Sequence, residues 1–128
     1  MHDHLTLAFH RLHGRVDEAL RALDDAGCNW VPVEGANSVA TIVVHLLGSE
    51  AEAFGHSPDR DRPAEFVPVV RTRAELLRRV AEADAAPPPT GDVDPCVLLA
   101  NYGHANEHLG QLLLTAQLYR DARRRAVG

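Results

Sequence analysis

The chain has 128 residues, 45% of them hydrophobic and only 5% aromatic, with a formal net charge of −5. That length allows one domain, spanning 1–128, whose core needs no disulfide or metal staple, and the acidic balance argues against a nucleic-acid surface. No apolar run approaches a membrane span, and the first twenty residues carry Asp3, Arg11, Arg15, Asp17 and Glu18, so neither a membrane partner nor a signal peptide is expected.

Ala and Leu lead the apolar set, which favours helices over sheets. All 13 basic residues are arginine, a usage that goes with a GC-rich bacterial genome. Arg123, Arg124 and Arg125 read as favourable charge at a helix C-terminus. Cys28 and Cys96 form neither a CxxC pair nor a dense framework, which points to a reducing, cytoplasmic setting.

Four amphipathic helices are expected in chain order. The first runs from about His4 to Ala26, where Leu5, Phe9, Leu12, Val16, Ala19, Leu23 and Ala26 recur at three and four. Asp3 is its N-cap and Gly27 its C′ stop. Asn37 and Ser38 announce the second helix, through Val39, Ile42, Val43, Leu46, Leu47 and Phe54, which stops at Gly55. Residues 56–71 carry Pro58, Pro63 and Pro68 and form a meandering loop or a short extended stretch. The capping box Thr72 to Glu75 opens the third helix, with Leu76, Leu77, Val80 and Ala83 on one side, and Pro87, Pro88 and Pro89 end it. Asp94 then caps a fourth helix with Pro95 at its first position, running to about Arg124. Four such helices with one long crossover make an all-α four-helix bundle, expected to be antiparallel.

The fourth helix carries His104 and His108. Four residues apart, two imidazoles point at one spot, the helical way to hold two corners of a metal site. The helix's apolar stripe centres on Leu98, Ala105, Leu109, Leu112 and Ala116. The two histidines lie about 75–115° from that centre, at about 100° per residue, on a flank shared with Asn101, Gln111 and Thr115. On the second helix His45 lies about 120° from the apolar centre by the same measure, near Thr41 and Gly48. Two such polar strips meeting beside the core would make a pocket with three imidazoles. Three neutral nitrogens suit Zn²⁺ or Ni²⁺ and leave positions open for water or substrate. The alternative is three histidines on the rim of the bundle, where most histidines lie.

Glu50 falls almost at the centre of the second helix's apolar stripe, where an unpaired carboxylate would be costly. Either the bundle opens at that level, or an arginine such as Arg11 or Arg15 pairs with it, or it lines the pocket as a catalytic base or as a partner of the metal ligands. Asn101 and Gln111 are candidates to orient ligand or substrate, and Glu50 or Glu107 to handle a proton, although Glu107, on the side away from the core, reads first as a solvated charge. His2, His4, His10, His13 and His56 read as solvent-exposed. Neither Cys28 nor Cys96 has a histidine beside it in sequence, so neither reads as a nucleophile.

The run Asn37-Ser-Val-Ala-Thr-Ile-Val-Val-His45-Leu-Leu-Gly-Ser-Glu50 resembles the second-helix block of the DinB/YfiT-like superfamily. The run His104-Ala-Asn-Glu-His108-Leu-Gly-Gln111 resembles its fourth-helix block, and the Thr72 to Leu77 helix start fits its spacing. The resemblance implies an up-up-down-down-type bundle, often a homodimer, with a divalent metal held by three histidines at His45, His104 and His108. It also implies a metal-dependent enzyme acting on a small-molecule substrate. The leading expectation is an S-transferase or isomerase using a low-molecular-weight thiol such as mycothiol as co-substrate. A hydrolase using metal-bound water and a non-catalytic dimeric metal-binding or stress-response module are the alternatives. An extra C-terminal domain like that of the mycothiol-dependent maleylpyruvate isomerase is not expected, which counts against that particular activity.

Overall fold

In the computed structural model, which describes residues 2–57 and 59–128, the chain is helical with no strand among the described residues. The elements are α1 (His2–Arg21), α2 (Asp25–Asn29), α3 (Val39–Ala53), a 3-10 turn (Pro63–Phe66), α4 (Arg73–Ala85) and α5 (Pro95–Val127). Three of the four expected N-caps are present. Ser38 accepts from the Thr41 amide, Thr72 from the Glu75 amide and Asp94 from the Cys96 amide, each meeting an amide the helix start would leave open. Gly55, at φ +82°, follows α3 in the left-handed conformation that ends helices.

The first helix differs from expectation. It ends at Arg21, and Asp24 caps a separate short helix by accepting from the Gly27 amide. Gly27 is therefore not a C′ stop. It is a close-approach residue, because a Cβ there would stand 2.7 Å from the Tyr119 ring. Asp3 lies inside the first turn of α1, where its charge suits the helix dipole, and is not the cap.

Cross-contacts fix the topology. Phe9 meets Phe54 and His13 meets Glu50, so α1 and α3 run oppositely. His10 meets Asp84 while Arg73 donates to the Leu23 carbonyl, so α1 and α4 also run oppositely. Phe9 meets Tyr102 and Asp24 meets Tyr119, which makes α1 and α5 parallel. The bundle is thus up-down-down-up over α1, α3, α4 and α5, in place of the all-antiparallel or up-up-down-down order expected. The cause is the crossover at 55–72, which returns the chain about 22 Å along α3 before α4 begins. Asn29 clasps the end of that crossover through both hydrogen bonds of its amide to the Arg71 backbone, at 2.7 and 2.9 Å.

The core runs the length of the bundle and includes Leu5, Phe9, Leu12, Val16 and Leu20 of α1 and Leu23 just after it. Val39, Val43 and Leu46 of α3, Leu76 and Val80 of α4, and Leu98, Leu109 and Leu112 of α5 complete it. Trp30 packs its ring on Tyr119, with centroids 5.7 Å apart. No helix among the described residues is long and apolar enough to cross a membrane.

Candidate metal centre

Antiparallel packing of α3 on α5 brings His45 to His104 and His108. One ligand atom from each of the three lies within 4.8 Å of the others, a group that could hold a metal ion. The imidazole centroids of His45 and His108 are 4.6 Å apart, as are those of His104 and His108. Their burial is graded: His45 is 3% exposed, His108 is intermediate and His104 is open to solvent. His45 is therefore no rim residue. It lies behind the other two, under the Phe66 ring at 4.6 Å.

The His45 and His108 rings are anchored through Nδ1. His45 Nδ1 donates to Glu65 Oε1 at 2.9 Å, and His108 Nδ1 donates to Gln111 Oε1 at 3.1 Å. His104 Nδ1 lies 3.6 Å from Glu107 Oε2. Where Glu65 and Gln111 accept from Nδ1, Nε2 is left as the lone-pair nitrogen of His45 and His108. The Nε2 atoms of His104 and His108 face each other at 3.1 Å. Burial pulls the His45 imidazole below its ordinary value by more than the Glu65 hydrogen bond lifts it, so the ring is neutral at pH 7.

Glu65 and Arg60 belong to the site although nothing in the sequence marked them. Arg60 grips both Glu65 oxygens at 2.6 and 2.8 Å and reaches Glu52 at 3.1 Å. Burial pushes the Glu65 carboxyl up, but the Arg60 and His45 hydrogen bonds outweigh it and hold the group below its ordinary value. The carboxylate fits against α3 only because residue 48 is glycine, since a Cβ there would overlap Glu65 Oε2. Both Arg60 and Glu65 come from the crossover expected to be a meandering loop or a short extended stretch. Its 3-10 turn, opened by Pro63, aims Glu65 at His45.

Asn101 donates from Nδ2 to Ser49 Oγ at 2.8 Å, and its Oδ1 is buried without a partner. The two residues line a cavity of about 350 Å³ beside His104, with Glu52, Ala53 and Val97. Gln111 orients His108 as described.

Glu50 stands elsewhere. It is 3% exposed, as its place in the apolar stripe required, but its two oxygens take His13 Nε2 at 2.7 and 2.8 Å. Five residues beyond His45, it lies about 140° around the helix and faces α1 instead of α5. The structure does not bring it to the three histidines, and its partner is neither Arg11 nor Arg15. His13 is correspondingly buried, not exposed. His4, His10 and His56 are on the surface as expected, and the side chain of His2 lies outside the described residues.

The cysteines take no part. Cys28 is fully buried, and desolvation, with Asp25 nearby, pushes its thiol up to about 11. Cys96 is exposed. One thiol, Cys96, should react with an aromatic disulfide reagent in the native protein, and two after denaturation. Rapid native labelling of both would show that Cys28 is reachable.

Among known proteins, the family model described as DinB superfamily matches residues 8–112. No curated protein and no solved structure matches the chain.

Proposed function

The chain belongs to the DinB superfamily, and on that premise we propose that it is a metal-dependent enzyme transferring a low-molecular-weight thiol to, or isomerising with its help, a small electrophilic molecule. The single observation that carries this reading is the group formed by His45, His104 and His108, one ligand atom of each within 4.8 Å of the others, with the His45 and His108 rings held by acceptor oxygens on Nδ1. Three neutral imidazoles fit Zn²⁺ or Ni²⁺ with positions left open. Bound there, the metal would supply a charge that lowers the pKa of a thiol and keeps it as thiolate at neutral pH.

The chain's own residues do the rest. Glu65 fixes the His45 ring and raises its basicity, and Arg60 keeps that carboxylate ionised and immobile. Gln111 does the same for His108. The cavity beside His104 receives the substrate, where the unpartnered polar end of Asn101 and the Ser49 hydroxyl recognise a hydrogen-bonding group. Phe66 shields the inner face of the site from water.

Gly48→Ala tests the anchor. The added methyl should drive Glu65 off His45 and lower metal affinity about 10–100-fold while helicity is retained. Unchanged affinity would show that the Glu65 contact does not matter to the site. The reaction itself is tested with zinc- or nickel-loaded protein and a chlorinated nitrobenzene, comparing mycothiol, glutathione and no thiol. Turnover only with a thiol, lost in His108→Ala, is expected. Thiol-independent ester cleavage would replace this reading with hydrolysis. Inactivity in every arm would leave a non-catalytic metal-binding module.

A further inference from the structure

A second cluster of ligand-type side chains lies at the junction of α1 and α4, built from residues the three-histidine site does not use. His10 and His13, three apart on α1, face the same way. Asp84, in the last turn of α4, meets both, because the two helices run oppositely. His10 Nδ1 stands 2.6 Å and His13 Nδ1 2.9 Å from the same atom, Asp84 Oδ1. One ligand atom from each residue lies within 4.8 Å of the others.

The arrangement behind His13 separates this cluster from an ordinary surface ion pair. The His13 side chain is only 3% exposed, and its Nε2 is held by both oxygens of Glu50, itself 4% exposed at the side chain. A carboxylate on one nitrogen of a buried imidazole sets the other nitrogen's direction and strengthens it as a donor, the arrangement found behind metal-ligating histidines. His10 and Asp84 are about half exposed, at 43% and 49%. They can therefore give the few tenths of an ångström that separate the present spacing from the ligand–ligand distance of about 3.3 Å in a tetrahedral zinc site. Between the two helices the cluster opens into a cavity of about 240 Å³ bordered by Gly14, Asp17 and Val80. A Cβ at Gly14 would meet nothing within 4 Å, so that side is open. Asp17 is turned away to Arg21, at 2.8 Å.

We propose that His10, His13 and Asp84 form a second site for a divalent cation of the zinc type, with Glu50 positioning His13 and the fourth corner open to the cavity. Two imidazole nitrogens and one carboxylate oxygen are a donor set for such an ion, which would stand in place of the protons now shared with Asp84. Glu50, which the chain buries at some cost, then has a defined role outside the three-histidine site. The inference is independent of the reaction proposed above, since it shares no ligand with that site.

The test uses untagged, metal-free protein carrying His104→Ala and His108→Ala, which empties the first site. Titration with Co²⁺ alone at neutral pH should show one saturable site per chain with visible d–d absorption. Adding His10→Gln or Asp84→Asn, both at half-exposed positions, should weaken it at least about tenfold with the helical spectrum unchanged. His13→Ala is avoided as primary evidence, because removing a buried partner of Glu50 also destabilises the fold. No saturable Co²⁺ site in the His104→Ala/His108→Ala protein would overturn the proposal. So would a site that His10→Gln and Asp84→Asn leave unchanged.

Discussion

Replacing His104 or His108 by alanine should abolish divalent-metal binding between α3 and α5 and leave the bundle folded. Both side chains lie on the flank of α5, outside the stripe of Leu98, Ala105, Leu109, Leu112 and Ala116 that the core uses. The His104 side chain is half exposed. Substitutions of that kind, away from caps and buried networks, shift stability by only about half a kcal/mol. The metal, by contrast, loses one of three protein ligands, a larger change than the 10–100-fold that loss of an anchoring partner brings. Chelation of the wild-type protein should behave alike. The core folds without help from an ion, so the helical signal should survive chelation, and the melting temperature should fall only by the linkage due to a departing ligand. That is about 2.7 kcal/mol at a free metal concentration of one hundred times Kd. Metal content by elemental analysis and far-ultraviolet dichroism decide the matter together. Collapse of the helical signal on chelation would make the three histidines a structural clamp instead of a reactive site. His45→Ala belongs to a different class, since it would strand the Glu65 and Arg60 pair beneath Phe66.

What the sequence made legible was local or periodic. The α5 stripe repeats over five turns, so its apolar buried residues could be read, and the flank carrying His104, His108 and Gln111 followed from it, although Thr115, placed on that flank, is buried. Ser38, Thr72 and Asp94 announce their helices by chemistry acting within three residues. Glu65 gave no such signal. It reaches His45 across 20 residues of chain through a turn whose direction depends on tertiary packing. The topology was hidden for the same reason, because the crossover's path is not encoded in any periodicity. His13 was a different failure. Leu20 is fully buried yet was left out of the α1 stripe. Seven residues from His13, Leu20 widens the stripe until His13 falls inside it. A histidine inside an apolar stripe, with Glu50 inside another, is the signal that would have paired them.

Glu50→Ala should destabilise the metal-free protein by about 3 kcal/mol, the lower end of what breaking a buried ion pair costs. The reasoning starts from His13. Burial alone would lower its pKa, but hydrogen bonds and charge from Glu50, followed by those from Asp84, outweigh burial and raise it, so the two carboxylates favour the charged form of the buried ring. Removing Glu50 leaves the buried His13 ring with one of its two carboxylate partners. The cost stays at the low end because Asp84 still holds Nδ1 at 2.9 Å. Replacing both partners by apolar residues, as Glu50→Leu with His13→Phe, should recover most of the loss, since no charge is then stranded and the gap is filled. The two single changes and the double therefore form a strongly non-additive cycle, measured by denaturant unfolding. Additive effects, or a Glu50→Ala cost below about 0.5 kcal/mol, would refute the pairing. The same variants decide the role that sequence position first suggested for Glu50. A base in the three-histidine pocket would lose turnover at unchanged stability. A residue whose work is to hold His13 shows the reverse, with stability falling first and turnover in the remaining folded protein preserved.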